Sequence, residues 1–148
     1  MSGQYYEDIE LGQRYKTPGR TVTETDVVLF AGLSGDQNPI HTDVEFCKST
    51  PFGRPIAHGL LILSILSGLV ERTGIQEGTI VAARRMTDLE FTRVVFPGDT
   101  IHGEMEALEK KSSADSGLVK FRMTGVNQRG EAVLSLVYEV ILRRRTTT

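Results

Sequence analysis

Between Gly59 and about Arg72 the chain carries Leu60, Leu61, Ile62, Leu63, Ile65, Leu66, Leu69 and Val70, broken only by Ser64, Ser67 and Gly68. From Leu60 to Val70 this run is about half of the ~20 residues needed to cross a bilayer, so it reads as a helix within a protein. On a 3.6-residue period its apolar side chains surround most of the circumference. A helix apolar all round must be buried all round. The remainder of the chain therefore has to supply walls for it. A curved antiparallel sheet wrapped about one central helix would do so. With 148 residues in total, part of one flank stays open, and a second subunit is a reasonable cover.

The sequence downstream supplies candidate walls, because its period changes to two. Ile101, Gly103, Met105 and Ala107 alternate with His102, Glu104 and Glu106, and Val119, Phe121 and Met123 alternate with Lys120, Arg122 and Thr124. Such alternation predicts half-buried antiparallel strands. Leu134 to Leu142 is apolar on both faces and predicts a central strand covered on both sides. Thr79–Ala83 and Asp88–Val95 are two further strand candidates. Pro97-Gly98-Asp99 forms a turn into the strand at Thr100. Upstream, Thr23 with Asp26 resembles a capping box opening a helix from Glu24 to Leu33, ended by Gly32 and Gly35. A turn-rich stretch follows to Gly59, with Pro39, Pro51, Pro55 and a short helix around Asp43 to Lys48. The fold class is α+β, in one domain over residues 1–148.

Charge and cysteine content narrow the functions. Seventeen basic and nineteen acidic side chains leave a formal charge of −2, which removes the main argument for nucleic-acid binding. The single cysteine, Cys47, excludes an intrachain disulfide and suits a reducing cytoplasm. It reads as a small buried hydrophobe. Met1 to Glu10 lacks the basic and apolar regions of a leader, so the expectation is a cytoplasmic protein without a membrane segment. Arg143-Arg144-Arg145 reads as a solvated end before the threonine tail.

The chemistry-bearing stretch is Ser34-Gly35-Asp36-Gln37-Asn38-Pro39-Ile40-His41. Pro39 disfavours helix at Asn38, and a turn there lets Asp36 and His41 converge although they are five apart. A carboxylate beside an imidazole is an acid–base pair suited to neutral pH. The same residues also suit an ordinary Asx turn. Arg54-Pro55-Ile56-Ala57-His58-Gly59 then runs into the apolar helix, setting Gly59 where free N–H groups point outward. Such an end is a ready oxyanion site, or simply a cap.

Phe30, Leu33, Ser34, Gly35, Asp36, Asn38, Pro39, Ile40 and His41 together resemble the signature of the MaoC-like dehydratases, or (R)-specific enoyl-CoA hydratases. Arg54 to Gly59 and Phe91 through Phe96 to Gly98-Asp99 resemble the family too. Cys47 departs mildly, standing where the pattern has Ala or Ser. The resemblance implies a hot-dog fold, with a long central helix wrapped by an antiparallel sheet. It implies a homodimer with a continuous sheet, and an acyl-CoA thioester lying along the interface. It also implies hydro-lyase chemistry: water adds across a trans-2-enoyl-CoA to give an (R)-3-hydroxyacyl-CoA, or leaves it in reverse. Asp36 and His41 would hold the water and move its protons, and the Gly59 N–H would take the developing oxyanion. Asn38 would support the dyad and Ser67 would lie near it.

His58 either orients the oxyanion turn or is structural, and Ser64 and Ser67 each have a back-bonded alternative. Arg84, Arg85 and Arg93 are candidates for the CoA phosphates. His102 lies on the polar face of its strand and reads as solvated. His41, Cys47, His58 and His102 lack paired ligand spacing, so no metal is expected, nor any cofactor beyond the CoA of the substrate. The competing readings are a hot-dog thioesterase and a non-catalytic acyl-CoA-binding module.

Overall fold

The computed structural model describes residues 3–145. A single 3-10 turn at Tyr6–Asp8 precedes strands β1 (Arg14–Lys16) and β2 (Arg20–Thr21). Helices α1 (Glu24–Ser34), α2 (Pro39–Thr42), α3 (Val44–Cys47) and α4 (Gly59–Glu71) follow. Strands β3 (Ile80–Phe91), β4 (Thr100–Ser112), β5 (Ser116–Val126) and β6 (Ala132–Arg143) complete the order. All pairings are antiparallel, in the order β1-β4-β5-β6-β3, with β2 also pairing β4. This is the expected α+β architecture, with the long apolar helix set against a sheet.

The period-two pattern sorts β4 and β5 as anticipated. Ile101, Met105 and Ala107 face the core from β4, and Val119, Phe121 and Met123 from β5. They meet Leu61, Ile62, Ile65, Leu66, Leu69 and Val70 of α4, all buried. Contact is close where glycine replaces a side chain: a Cβ at Gly103 would lie 2.5 Å from Leu66 Cδ1. Strand β6 lies between β5 and β3 and buries Leu134, Leu136, Tyr138, Val140 and Leu142 on one face. Ser135, Val137 and Ile141 on the other are only half-buried, so the strand expected to be covered on both sides is fully covered on one.

Three local expectations change. Thr79–Ala83 and Asp88–Val95 belong to one strand, β3, which starts at Ile80 and ends at Phe91. Register shifts break its pairing with β6, and Asp88 takes a positive φ of 53° within the last of them. Those irregularities interrupt the sequence pattern without ending the strand. In α1, Gly32 is accommodated inside the helix, and Gly35 alone caps it, at φ 77° with its N–H on the Ala31 carbonyl. The basic end is not free in solvent. Arg144 pairs with Glu7 at 2.9 Å and Arg145 with Asp8 at 2.7 Å, clasping the N-terminal turn to the end of β6. Hydrogen bonds from these arginines hold the Glu7 and Asp8 carboxyls below the usual carboxylate range. The Thr146–Thr148 tail lies outside the described residues.

One flank of α4 stays open, as expected for a single chain of this length. Leu60 is 58% exposed, and Ser64, Ser67 and Gly68 share its open flank. Strand β3 is an edge of the sheet, with Val81, Met86 and Phe91 exposed.

Leu66 is the fully buried contact between α4 and the sheet. Leu66→Ala is expected to cost about 2–5 kcal/mol, because the close-packed glycine backbone opposite cannot collapse onto the void. Urea unfolding of the variant measures this directly.

Candidate active site

The turn after α1 is built from short-range hydrogen bonds that the sequence order makes available. Ser34 Oγ donates to the Phe30 carbonyl at 2.7 Å and accepts the Asp36 N–H at 3.1 Å. Asp36 Oδ1 accepts the Asn38 N–H at 3.2 Å, and Asn38 Oδ1 accepts the Ile40 N–H at 3.1 Å. With Pro39 at its first position, α2 is a four-residue helix that Asn38 caps. The supporting role expected of Asn38 is thus a local one. It starts the turn of helix that carries His41, and its own N–H steadies the Asp36 carboxylate.

His41 is fixed from outside its own loop. Its Nδ1 lies 2.7 Å from the Ile56 carbonyl, and Ile56 returns its N–H to the Ile40 carbonyl at 3.1 Å. A carbonyl only accepts, so Nδ1 carries a proton and the neutral ring keeps its lone pair on Nε2. His58 is buried beneath this pair. Its ring stacks on that of His41, with centroids 3.8 Å apart, and its Nε2 lies 3.0 Å from the Asp36 carbonyl. Gly59 then opens α4. No side chain caps this helix, so its first N–H groups have no intrahelical partner and sit at the positive end of a 13-residue helix.

One cavity of about 760 Å³ joins these pieces, lined by Asp36, His41, Gly59, Phe91, Arg93 and Arg129 among others. Asp36 is exposed to it and His41 half-buried. Phe91 packs on the opening glycine so closely that a Cβ at Gly59 would lie 2.8 Å from its ring. Side-chain atoms of Asp36, His41 and His58 approach within 4.8 Å of one another: Asp36 and His41 converge as the turn predicts, and His58 joins them. The two imidazoles are stacked, only 28° from parallel, so their in-plane lone pairs run alongside each other and do not meet at one point.

The remaining candidates divide. Arg93 lines the cavity, 4.0 Å from Glu131. Arg84 and Arg85 lie along β3 outside that lining, and Arg84 is 3.9 Å from Glu139. Ser67 is not brought to the dyad within the chain. Eight residues beyond Gly59 it stands ~12 Å further along the helix axis, on the exposed flank. Ser64 back-bonds to the Leu60 carbonyl at 2.8 Å. His102 is partly shielded and not freely solvated, with Nε2 3.2 Å from Glu104. Cys47 is buried, and burial pushes its thiol up from the ordinary value, as befits a packing residue.

Arg129 carries no signal in the sequence. It lies in the β5–β6 turn, where an arginine is locally unremarkable. The fold turns it toward the cavity between Glu131, at 2.9 Å, and Asp99, at 3.4 Å. Burial alone would raise the Asp99 carboxyl. Hydrogen bonds from Gln128 and the Phe96 N–H, with the Arg129 charge, hold it below its usual range instead.

The family model of the MaoC like domain matches residues 8–127. The chain belongs to this family. It is 37% identical over 100 residues to the (R)-specific enoyl-CoA hydratase of Aeromonas caviae, covering 68% of this chain and 72% of that one. The crystal structure of a monoamine oxidase regulatory protein from Archaeoglobus fulgius superposes with a TM-score of 0.92 at 41% identity. That match covers 99% of this chain and 98% of the other. A Mycobacterium tuberculosis protein described as a double hot-dog fold superposes with a TM-score of 0.85 at 22% identity, over 99% of this chain and 46% of its own. The MaoC-like chain described here therefore has the hot-dog fold. It spans well under half the length of some curated relatives that it matches, 31% of one and 41% of another.

The Gly59–Phe91 contact makes a measurable prediction. Gly59→Ala should destabilise the protein by about 1–3 kcal/mol, the usual range for overpacking. Adding Phe91→Ala should recover much of that loss. A double-mutant cycle by chemical denaturation reads the coupling, which additive behaviour would refute.

Proposed function

We propose that this MaoC-like chain is a hydro-lyase that reversibly hydrates trans-2-enoyl-CoA thioesters to (R)-3-hydroxyacyl-CoA. One observation carries the proposal: an Asp36 carboxylate and a His41 imidazole with its lone pair on Nε2 share a cavity with the free N–H end of α4. The (R) outcome rests on the named activity of the Aeromonas caviae relative.

The steps follow from that geometry. A water between Asp36 and His41 gives up a proton as its oxygen bonds to C3 of the enoyl chain. The C2–C3 π electrons shift towards the thioester, whose oxygen becomes an enolate. The Gly59 N–H, aligned with the helix dipole, stabilises that charge. A proton returned from the dyad to C2 completes the addition. Only protons and one oxygen move, so the reaction needs no cofactor beyond the CoA that the substrate carries.

The same proposal includes a homodimer in the cytoplasm. The exposed β3 edge has unpaired backbone groups and carries the exposed apolar side chains Val81, Met86 and Phe91, and α4 has an open flank of its own. Pairing there would continue the sheet and wall the cavity at Phe91. Ser67 lies on the same flank, so any part it plays belongs to the paired state. Arg93 and Arg129 are the cations best placed for CoA phosphates, with Arg84 and Arg85 further along the β3 edge. A single buried Cys47 suits a reducing compartment. Among the described residues, no helix is long and apolar enough to cross a membrane.

Asp36→Asn and His41→Ala should each lower kcat for crotonyl-CoA hydration by about 10²–10⁴-fold, the usual contribution of acid–base groups, with folding retained. Loss of the conjugated enoyl absorbance follows the reaction. Release of free thiol without that loss would identify a thioesterase instead. Arg93→Ala and Arg129→Ala should raise KM several-fold, roughly, for CoA thioesters but not for N-acetylcysteamine thioesters, which lack the phosphates.

A further inference from the structure

His58 holds a position whose chemistry is unusual for a core residue. It is 2% exposed and lies between the rings of Phe30, at 5.0 Å, and His41, at 3.8 Å. It is also the N-cap of α4, where Ser, Thr, Asp or Asn would bond the helix N–H groups. Its side chain makes no such bond. Its Nδ1 is buried without a hydrogen-bond partner among the described residues. An apolar side chain would fill the same space without stranding a polar atom. Its one side-chain hydrogen bond among the described residues runs from Nε2 to the Asp36 carbonyl at 3.0 Å.

Both members of the dyad therefore rest on one ring. Asp36 is exposed, on a loop just past the left-handed Gly35, and among the described residues its carboxylate takes only the nearby Asn38 N–H. His41 is tethered at Nδ1 by Ile56, which leaves rotation about that bond to be limited by whatever lies against the ring face. That neighbour is His58. We propose that His58 is a positioning residue for the dyad. Its ring, protonated on Nε2 alone, pins the Asp36 backbone and props the His41 ring, so that both groups face the Gly59 N–H together. The tautomer follows from the partners: a carbonyl takes only an N–H, and a proton on Nδ1 would be buried without an acceptor.

The catalytic half of this inference rests on the hydratase activity proposed above, but the tautomer does not. Histidine ¹⁵N chemical shifts of the wild-type protein should report His58 with its proton on Nε2 and a bare Nδ1. The reverse assignment would overturn the proposal whatever the enzyme's activity. With crotonyl-CoA, His58→Gln keeps a neutral donor for the Asp36 carbonyl and should retain kcat within about threefold. His58→Leu lacks the donor and should lose about 10²-fold in kcat with KM little changed, the scale expected when reacting groups are misplaced by about 1 Å. Equal loss in both variants, or loss in neither, overturns the positioning role. Absence of hydration by the wild type would instead defeat the hydratase reading, and the ¹⁵N shifts would still decide how His58 is bonded.

Discussion

Everything in this fold depends on enclosing α4. The helix offers apolar side chains around most of its circumference, and burying such a side chain stabilises the protein by about 1.5–3 kcal/mol. Strands β4, β5 and β6 turn a continuous apolar face towards it, and Gly103 lets the helix come close to the backbone of β4. This packing has a functional by-product. A helix held so firmly presents its N-terminus at a fixed place, and the first residues of α4, Gly59 and Leu60, line the cavity without a side-chain cap.

The site is then assembled from weak local bonds placed against that rigid end. The Asp36–His41 loop orders itself through Ser34, Asn38 and Pro39, each acting within a few residues. What aims it is non-local. The Ile56 carbonyl sets the His41 tautomer, and His58, one residue before the helix, stacks beneath it. The segment that leads into α4 thus carries both Gly59 at the helix start and the contacts that hold His41 and the Asp36 carbonyl. Charged groups lie at the periphery, where Asp99 and Glu131 hold Arg129 at the cavity wall.

Much of this architecture is legible in the order of the residues. The capping box at Thr23 and Asp26 locates α1, the run from Gly59 locates α4, and alternation locates β4 and β5. Those signals are local or strictly periodic, and side-chain direction follows from backbone period alone. The departures share a cause as well. Bulges in β3 break the alternation and make one strand look like two. Arg144 and Arg145 look free in the sequence because Glu7 and Asp8, their partners, lie 137 residues away in the chain. Arg129 is invisible there, because a turn residue's orientation depends on which elements the turn connects.

By itself the sequence determined the α+β class, the central helix, the identity of the Asp36–His41 pair and the glycine that begins α4. Hydrophobic period, proline and glycine geometry and short-range hydrogen bonds act over a few residues, so they can be read in order along the chain. Only the tertiary structure decided that His58 joins Asp36 and His41, that Phe91 closes on Gly59, and that Ser67 stands away from the dyad on an open flank. Those relations are distances between segments far apart in sequence. They are fixed by how the sheet curves around α4, and no local pattern encodes that curvature.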